Sequence, residues 1–366
     1  MNSMNRGGAE NAIMNYYRYM DRSKVQFDFL LTDGGSSLFE PEIVALGGRI
    51  YRLPSLTARN PFPYIKSVNS FFKEHPEYKI VHSHTSSKSS IPLAIAKLRK
   101  IPVRICHSHN TQSESGLKGM VRDFLKIPLK TVATDFCACG ENAAVWLYGR
   151  KSFDSGKVFI VENVIECSRF GYDPTVRQEI LKSLGINGDT AVLGCSARFS
   201  PQKNIGFALD VFREFHTLTP NSVLLLLGDG DLREQIDLKI KEYGLSDSAI
   251  SLGVVSNPND YYQAMDIFLM PSLHEGLPLS LIEAQISGLK CFASTGVPRE
   301  ADKTGLVTFL PLSEGPEYWA HQIQEALPYH RESQIEVLKE AGYDAATSAV
   351  RLQTFYQEAF ERGENL

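Results

Sequence analysis

Short apolar runs alternate with amphipathic stretches along the whole chain. Residues 25–31, 79–82, 103–107, 135–138 and 158–161 read as strands in the first half. Residues 191–197, 223–227, 249–252, 267–270, 290–293 and 307–310 do so in the second. Brief apolar strands separated by helices imply parallel sheets covered on both faces. The pattern breaks at 162–174, which is polar and turn-rich and reads as a hinge. The fold class is therefore α/β, with two doubly wound domains over 1–165 and 166–345. Ligands of such sheets bind beyond the carboxyl ends of the strands. Arg198, Gly228 and Glu275 each follow a predicted strand, so they can converge on one rim.

Chemistry concentrates in residues 271–285, Pro-Ser-Leu-His-Glu-Gly-Leu-Pro-Leu-Ser-Leu-Ile-Glu-Ala-Gln. Pro278 suits the first helical position, where its missing N–H costs nothing. Glu275 then lies just before a helix and Glu283 roughly one and a half turns inside it. Between them, beside Gly276, the free N–H groups of Leu279 and Ser280 form an anion cradle. Glutamates near a helix start also serve as plain caps, so the pair gains meaning from a second anion site. In Ala-Val-Leu-Gly-Cys-Ser-Ala-Arg-Phe-Ser-Pro-Gln-Lys-Asn (191–204), Ser200 reads as an N-cap with Pro201 in the first turn. Lys203 would then face the positive end of a helix dipole, a conflict that a bound anion removes. Arg198 can fork onto the same phosphate.

Arg198 with Lys203, Gly228-Asp229-Gly230, and Glu275 with Glu283 in His-Glu-Gly-Leu-Pro resemble the retaining glycosyltransferases of family 4. Asn-Arg-Gly-Gly-Ala-Glu near the amino terminus and Arg-Ile-Cys-His-Ser-His-Asn at 104–110 are similar to that family's first half. The likeness is greatest to its capsular and exopolysaccharide branch. It implies a GT-B fold, two Rossmann-like domains facing a cleft, with residues 346–366 returning to the amino-terminal domain as a helix over about 348–361. It also implies metal-independent transfer, with retention, from a nucleoside diphosphate sugar such as a UDP-sugar to a hydroxyl acceptor, without a cofactor or a metal ligand set. Within that reading Glu283 holds the ribose, Glu275 the transferred sugar, and Gly253 to Val255 the nucleobase. His109 stands beside the reacting sugar, and Gly7-Gly8 let the backbone approach the donor. The family places a short apolar strand before its glycine pair. Only the polar Met1 to Arg6 precede Gly7 here, so the first strand of that domain is expected to be missing through truncation or loss.

Composition fits this picture without deciding it. Of 366 residues 43% are apolar and 22% charged, and no run of roughly 18 to 20 apolar residues is present. Six cysteines without a CxxC pair suggest buried thiols in a cytoplasmic protein. Residues 1–165 carry 22 Lys and Arg against 14 Asp and Glu, while the rest carries 16 against 28. A basic half suits an anionic partner, and no nucleic-acid motif appears. Lys118, Arg122, Lys126 and Lys130 would form one cationic helix stripe beside apolar Met120, Val121 and Phe124. Such a helix could bring a lipid-linked saccharide acceptor within reach at the inner face of the plasma membrane. Three rival readings remain: a nucleotide-sugar epimerase, a non-catalytic nucleotide-sugar-binding protein, and a zinc hydrolase built on His82/His84 and His107/His109.

Overall fold

The computed structural model describes residues 1–5, 7–32, 34–57, 59–109 and 116–364, without the side chains of Leu117 and Lys118. The chain divides into two compact units. The first joins Met1–Ile165 to Gly342–Leu366, and the second is Glu166–Ala341.

In the first unit β1 (Phe29–Leu31) pairs with β2 (Ile50–Arg52). A separate parallel sheet has the order β3 (Ile80–Ser83), β4 (Val103–Ser108), β5 (Asp135–Ala138), β6 (Val158–Ile160). β4 is buried along almost its whole length, as expected of a central parallel strand. Helices Gly8–Tyr19 and Ala345–Glu364 close one face, placing Tyr16, Val103, Ile105, Leu352 and Tyr356 in a common core. The return starts earlier than the expected 346. Ile165 donates to Tyr343 O (2.8 Å) and Ala345 to Ile165 O (2.9 Å), so the two chain crossings run side by side.

Residues 1–4 form no strand. The Met1 amine donates to Leu30 O at 2.9 Å, and Thr32 N–H reaches the Met1 and Asn2 carbonyls at 3.1 Å. Met4 is fully buried against Met14, Tyr17, Phe29, Leu31 and Ile43. A cavity of about 760 Å³ is lined from both β1 and β3, the facing members of the two sheet pieces.

The second unit is one parallel sheet: β7 (Ala191–Ser196), β8 (Ser222–Leu227), β9 (Ala249–Gly253), β10 (Ile267–Met270), β11 (Lys290–Ser294) and β12 (Val307–Leu310). Its spatial order is β12-β11-β10-β7-β8-β9. Leu224, Leu225 and Leu226 are completely buried, and helix Ile205–Leu218 covers Leu224 and Leu226 through Phe212 and Phe215. The chain enters at β7, winds outward to β9, then crosses back to β10. The winding therefore reverses between β7 and β10, and a crevice opens beyond their carboxyl ends.

Candidate functional site

Backbone contacts between the loops that leave the strands shape that crevice. An added Cβ at Gly228 would lie 1.9 Å from Ala197 O, and Gly228 has φ +132°. One at Gly230 would lie 2.4 Å from Phe199 O. These glycines let the loop after β8 press on the loop after β7, sealed by Phe199 N–H to Asp229 O at 2.9 Å. Gly228 N–H in turn reaches Gly253 O at 2.8 Å, which sets the 253–255 segment with Val255 beside it.

The loop after β7 differs from the sequence expectation. Ser200 makes no side-chain cap, and Pro201–Lys203 forms a separate 3-10 turn. Asn204 then takes a left-handed conformation (φ 53°), and the helix begins only at Ile205. Lys203 therefore does not sit in a helical first turn, and the dipole conflict does not arise. What holds the turn is the facing loop: Leu273 N–H donates to Gln202 O (2.8 Å), Gln202 Nε2 to His274 O (2.9 Å), and Asn204 Nδ2 to Pro271 O (3.2 Å).

That stitching brings Lys203 Nζ within 2.6 Å of Glu275 Oε1, an ion pair across the winding reversal. The Glu275 side chain is only 6% exposed, and Lys203 is its partner in the ion pair. Arg198 is exposed on the same loop and makes no ion pair among the described residues. Pro278 is the residue before helix Leu279–Ile286 rather than its first (ψ 107°), which leaves Leu279 and Ser280 as the opening turn. Their N–H groups have no acceptor among the described residues, and Gly276 is open around its Cα. A loose cation and a paired cation thus lie on the loop after β7, and two free amides open the helix that follows Glu275; these are the kinds of donor an oxyanion group needs.

Glu283 lies deeper, where burial pushes its carboxyl up to about 7; the hydrogen bond from Tyr262 OH to Oε2 (2.9 Å) opposes this. Tyr262 is fully buried and also contacts Ser280 O at 3.4 Å. It orients Glu283, a role that nothing in the sequence marks.

In the first unit, Gly7 precedes helix Gly8–Tyr19, and the Glu10 carboxylate occupies the space a Gly7 side chain would need. His109 stacks on His107 at 4.2 Å and 15°, and its Nε2 meets His84 Nδ1 at 3.0 Å. Burial lowers His109 to about 4, so its ring is neutral. Asn110 lies outside the described residues.

The expected cationic stripe is not continuous. Helix Leu117–Lys126 ends before Pro128, so Lys130 belongs to the next helix, Leu129–Val132. Lys126 turns inward onto Trp146, bonding its carbonyl (3.1 Å) and lying 4.1 Å from its ring. The Lys118 side chain lies outside the described residues. Met120 (70% exposed), Val121, Phe124 (72%) and Ile127 face solvent, with Asp123 and Lys130 exposed among them. Among the described residues no helix is long and apolar enough to cross a membrane.

The chain is similar to known proteins along its full length. Residues 7–163 match the family described as "Glycosyl transferase 4-like domain", and 176–327 match "Glycosyl transferases group 1". "Putative glycosyltransferase EpsF" of Bacillus subtilis is 36% identical over 372 residues, covering all of this chain and 97% of that protein. An Escherichia coli UDP-Gal:alpha-D-GlcNAc-diphosphoundecaprenol alpha-1,3-galactosyltransferase is 27% identical, over 63% of this chain and 62% of its own. The Staphylococcus aureus "Capsular polysaccharide biosynthesis glycosyltransferase CapH" is 26% identical over 77% of this chain and 76% of its own. The fold matches Anabaena HepE, solved with UDP and glucose, at a TM-score of 0.76, 15% identity and 98% coverage of both chains.

Proposed function

Starting from the fact that this chain belongs to the GT-B glycosyltransferases of the exopolysaccharide and capsule branch, we propose that it moves a sugar from a UDP-sugar to a hydroxyl of a lipid-linked saccharide, with retention. The observation that carries this reading is the Lys203–Glu275 pair beside the open amides of Leu279 and Ser280. The UDP diphosphate enters against Arg198, Lys203 and those amides. There it draws Lys203 toward phosphate and frees Glu275 to accept from hydroxyls of the transferred sugar. As the anomeric bond breaks, the same cations and dipoles meet the charge growing on the leaving diphosphate. Stabilisation of that kind, by charges already in place, usually lowers the barrier more than any other single effect. No metal is required for that neutralisation. The Glu275 carboxylate steadies positive charge at the anomeric carbon. Glu283, held by Tyr262, accepts from the ribose hydroxyls, and the 253–255 backbone reads the base. His109, neutral, contacts the transferred sugar, and Gly7-Gly8 let backbone approach the donor.

The acceptor reading draws support from the diphosphoundecaprenol substrate in the name of the Escherichia coli relative. It draws more from the exposed Met120, Val121, Phe124 and Ile127, which suit insertion at an anionic leaflet next to Lys130. Glycan transfer with purified protein tests the whole. UDP should be released from UDP-sugar only when a lipid-linked acceptor is present, and Glu275→Gln should stop it. Release without any acceptor would point to an epimerase, and binding without release to a non-catalytic protein.

A further inference from the structure

Four imidazoles meet at the carboxyl ends of β3 and β4. His82 stacks on His84 at 4.2 Å, and His107 on His109 at 4.2 Å. The two stacks face each other through ring nitrogens, His82 Nε2 to His107 Nδ1 at 3.1 Å and His84 Nδ1 to His109 Nε2 at 3.0 Å. One ligand nitrogen each from His82, His84 and His107 lies within 4.8 Å of the others. We propose that this cluster is a transition-metal site, taking one divalent ion of the zinc class through His82, His84 and His107, with His109 within reach as a fourth ligand.

Three features of the cluster support this. The rings have lone pairs to offer, because ring nitrogens facing one another at 3.1 and 3.0 Å exclude four imidazolium rings, which would donate from every nitrogen. Neutral imidazole is the form that Zn²⁺, Co²⁺, Ni²⁺ and Cu²⁺ bind. The hydrogen bonding of the cluster is also incomplete. The buried His107 Nε2 has no partner among the described residues. Lastly, an outer partner is already in place. Tyr356 OH lies 2.6 Å from His82 Nδ1, and a proton held there leaves the Nε2 lone pair facing His107. Metal-bound histidines are commonly fixed by such a contact.

Tetrahedral zinc, with bonds of about 2.0–2.1 Å, separates its ligands by roughly 3.3 Å. The facing pairs are already near that spacing, and the widest separation among the three closes by ring rotation of roughly 1.5 Å. The ion would enter through the cavity of about 760 Å³ that all four rings line, whose walls carry Asp28, Glu77 and Glu162 alongside Lys24, Lys79 and Lys88. His82, His84 and His107 take no part in the sugar transfer proposed above, so the three-ligand site stands whether or not the transferase reading does.

The test uses the full chain, free of any polyhistidine tag and stripped with chelator. Titration with Co²⁺ should give intense visible absorption of four-coordinate cobalt at one ion per chain, displaced by Zn²⁺. Zn²⁺ should raise the melting temperature by several degrees. His84→Asn should lower Zn²⁺ affinity at least a hundredfold. Tyr356→Phe, which touches the ion only through His82, should lower it about ten- to a hundredfold. A folded wild-type chain that takes up no stoichiometric Co²⁺ or Zn²⁺ overturns the proposal, whether or not the variants fold. So does unchanged binding in a folded His84→Asn.

Discussion

Lys203 Nζ and Glu275 Oε1, 72 residues apart in sequence, stand 2.6 Å apart across the reversal between β7 and β10. The cation proposed for the diphosphate is therefore held by the carboxylate proposed for the sugar. Lys203→Met should strand Glu275, 6% exposed, and lower stability by about 1–3 kcal/mol. UDP affinity should fall about ten- to a hundredfold, the loss of one charge-assisted contact. The double variant Lys203→Met/Glu275→Gln should recover stability but not UDP binding. Melting curves and calorimetry read the two effects separately.

Glu283 gives the protein a pH dependence. Its carboxyl is raised to about 7, so the folded state prefers it protonated. Its ionisation then costs stability progressively as pH climbs from the ordinary carboxylate value through about 7, and nothing below that range. In the proposed site the ribose hydroxyls donate to the ionised form. UDP should therefore bind more tightly above pH 7 and release protons on binding at pH 6. Glu283→Gln should lose both effects, and Tyr262→Phe should move the midpoint upward. Calorimetry in buffers of different ionisation enthalpy measures the protons. Equal release in Glu283→Gln assigns it to the phosphates instead.

At Gly228 a methyl group has nowhere to go. With Ala197 O 1.9 Å from the added Cβ and φ at +132°, Gly228→Ala should cost at least about 3 kcal/mol or prevent folding. Gly276→Ala, open on every side, should leave stability within about 0.5 kcal/mol. Urea unfolding of the two variants gives the contrast.

The apolar face of helix Leu117–Lys126 predicts a surface defect without a folding defect. Phe124→Ser and Met120→Ser remove side chains that are mostly in water, so the melting temperature should stay within about 2 °C. Co-sedimentation with phosphatidylglycerol vesicles should nevertheless drop several-fold. Lys130→Gln should mainly alter the salt dependence. Retention of full vesicle binding by the double Ser variant would remove the helix from the membrane proposal.

The long apolar runs were legible in sequence because a buried parallel strand leaves few ways to write itself. β10 and β12 coincide with 267–270 and 307–310, and β4 extends its run by one residue. β2 escaped notice because its three residues, Ile50–Arg52, are only half covered and show no apolar run. Glu275, Glu283, Arg198 and Lys203 were readable one by one from their local setting. Their coupling was not. The Lys203–Glu275 pair exists because the Gln202 and Asn204 side chains and backbone grip another loop, and no local pattern encodes that grip. Tyr262 was invisible for a similar reason, lying in a short helix 21 residues before the carboxylate it steadies. The two His-x-His spacings announced shared faces, and only the β3–β4 register brought the faces together.

Helix Ala345–Glu364 completes the core of the first unit, with Leu352 and Tyr356 packed on Tyr16, Val103 and Ile105. On the ribosome this imposes an order. The second unit is one uninterrupted stretch and has all its strands once Ala341 has emerged. The first unit, begun earliest, still lacks a wall of its interior at that moment. It must wait, with β4 and helix Gly8–Tyr19 uncovered, until the last two dozen residues are made. A nascent chain released short of that helix would therefore carry a finished second unit and an exposed, sticky first one, the kind of product that chaperones hold and proteases remove.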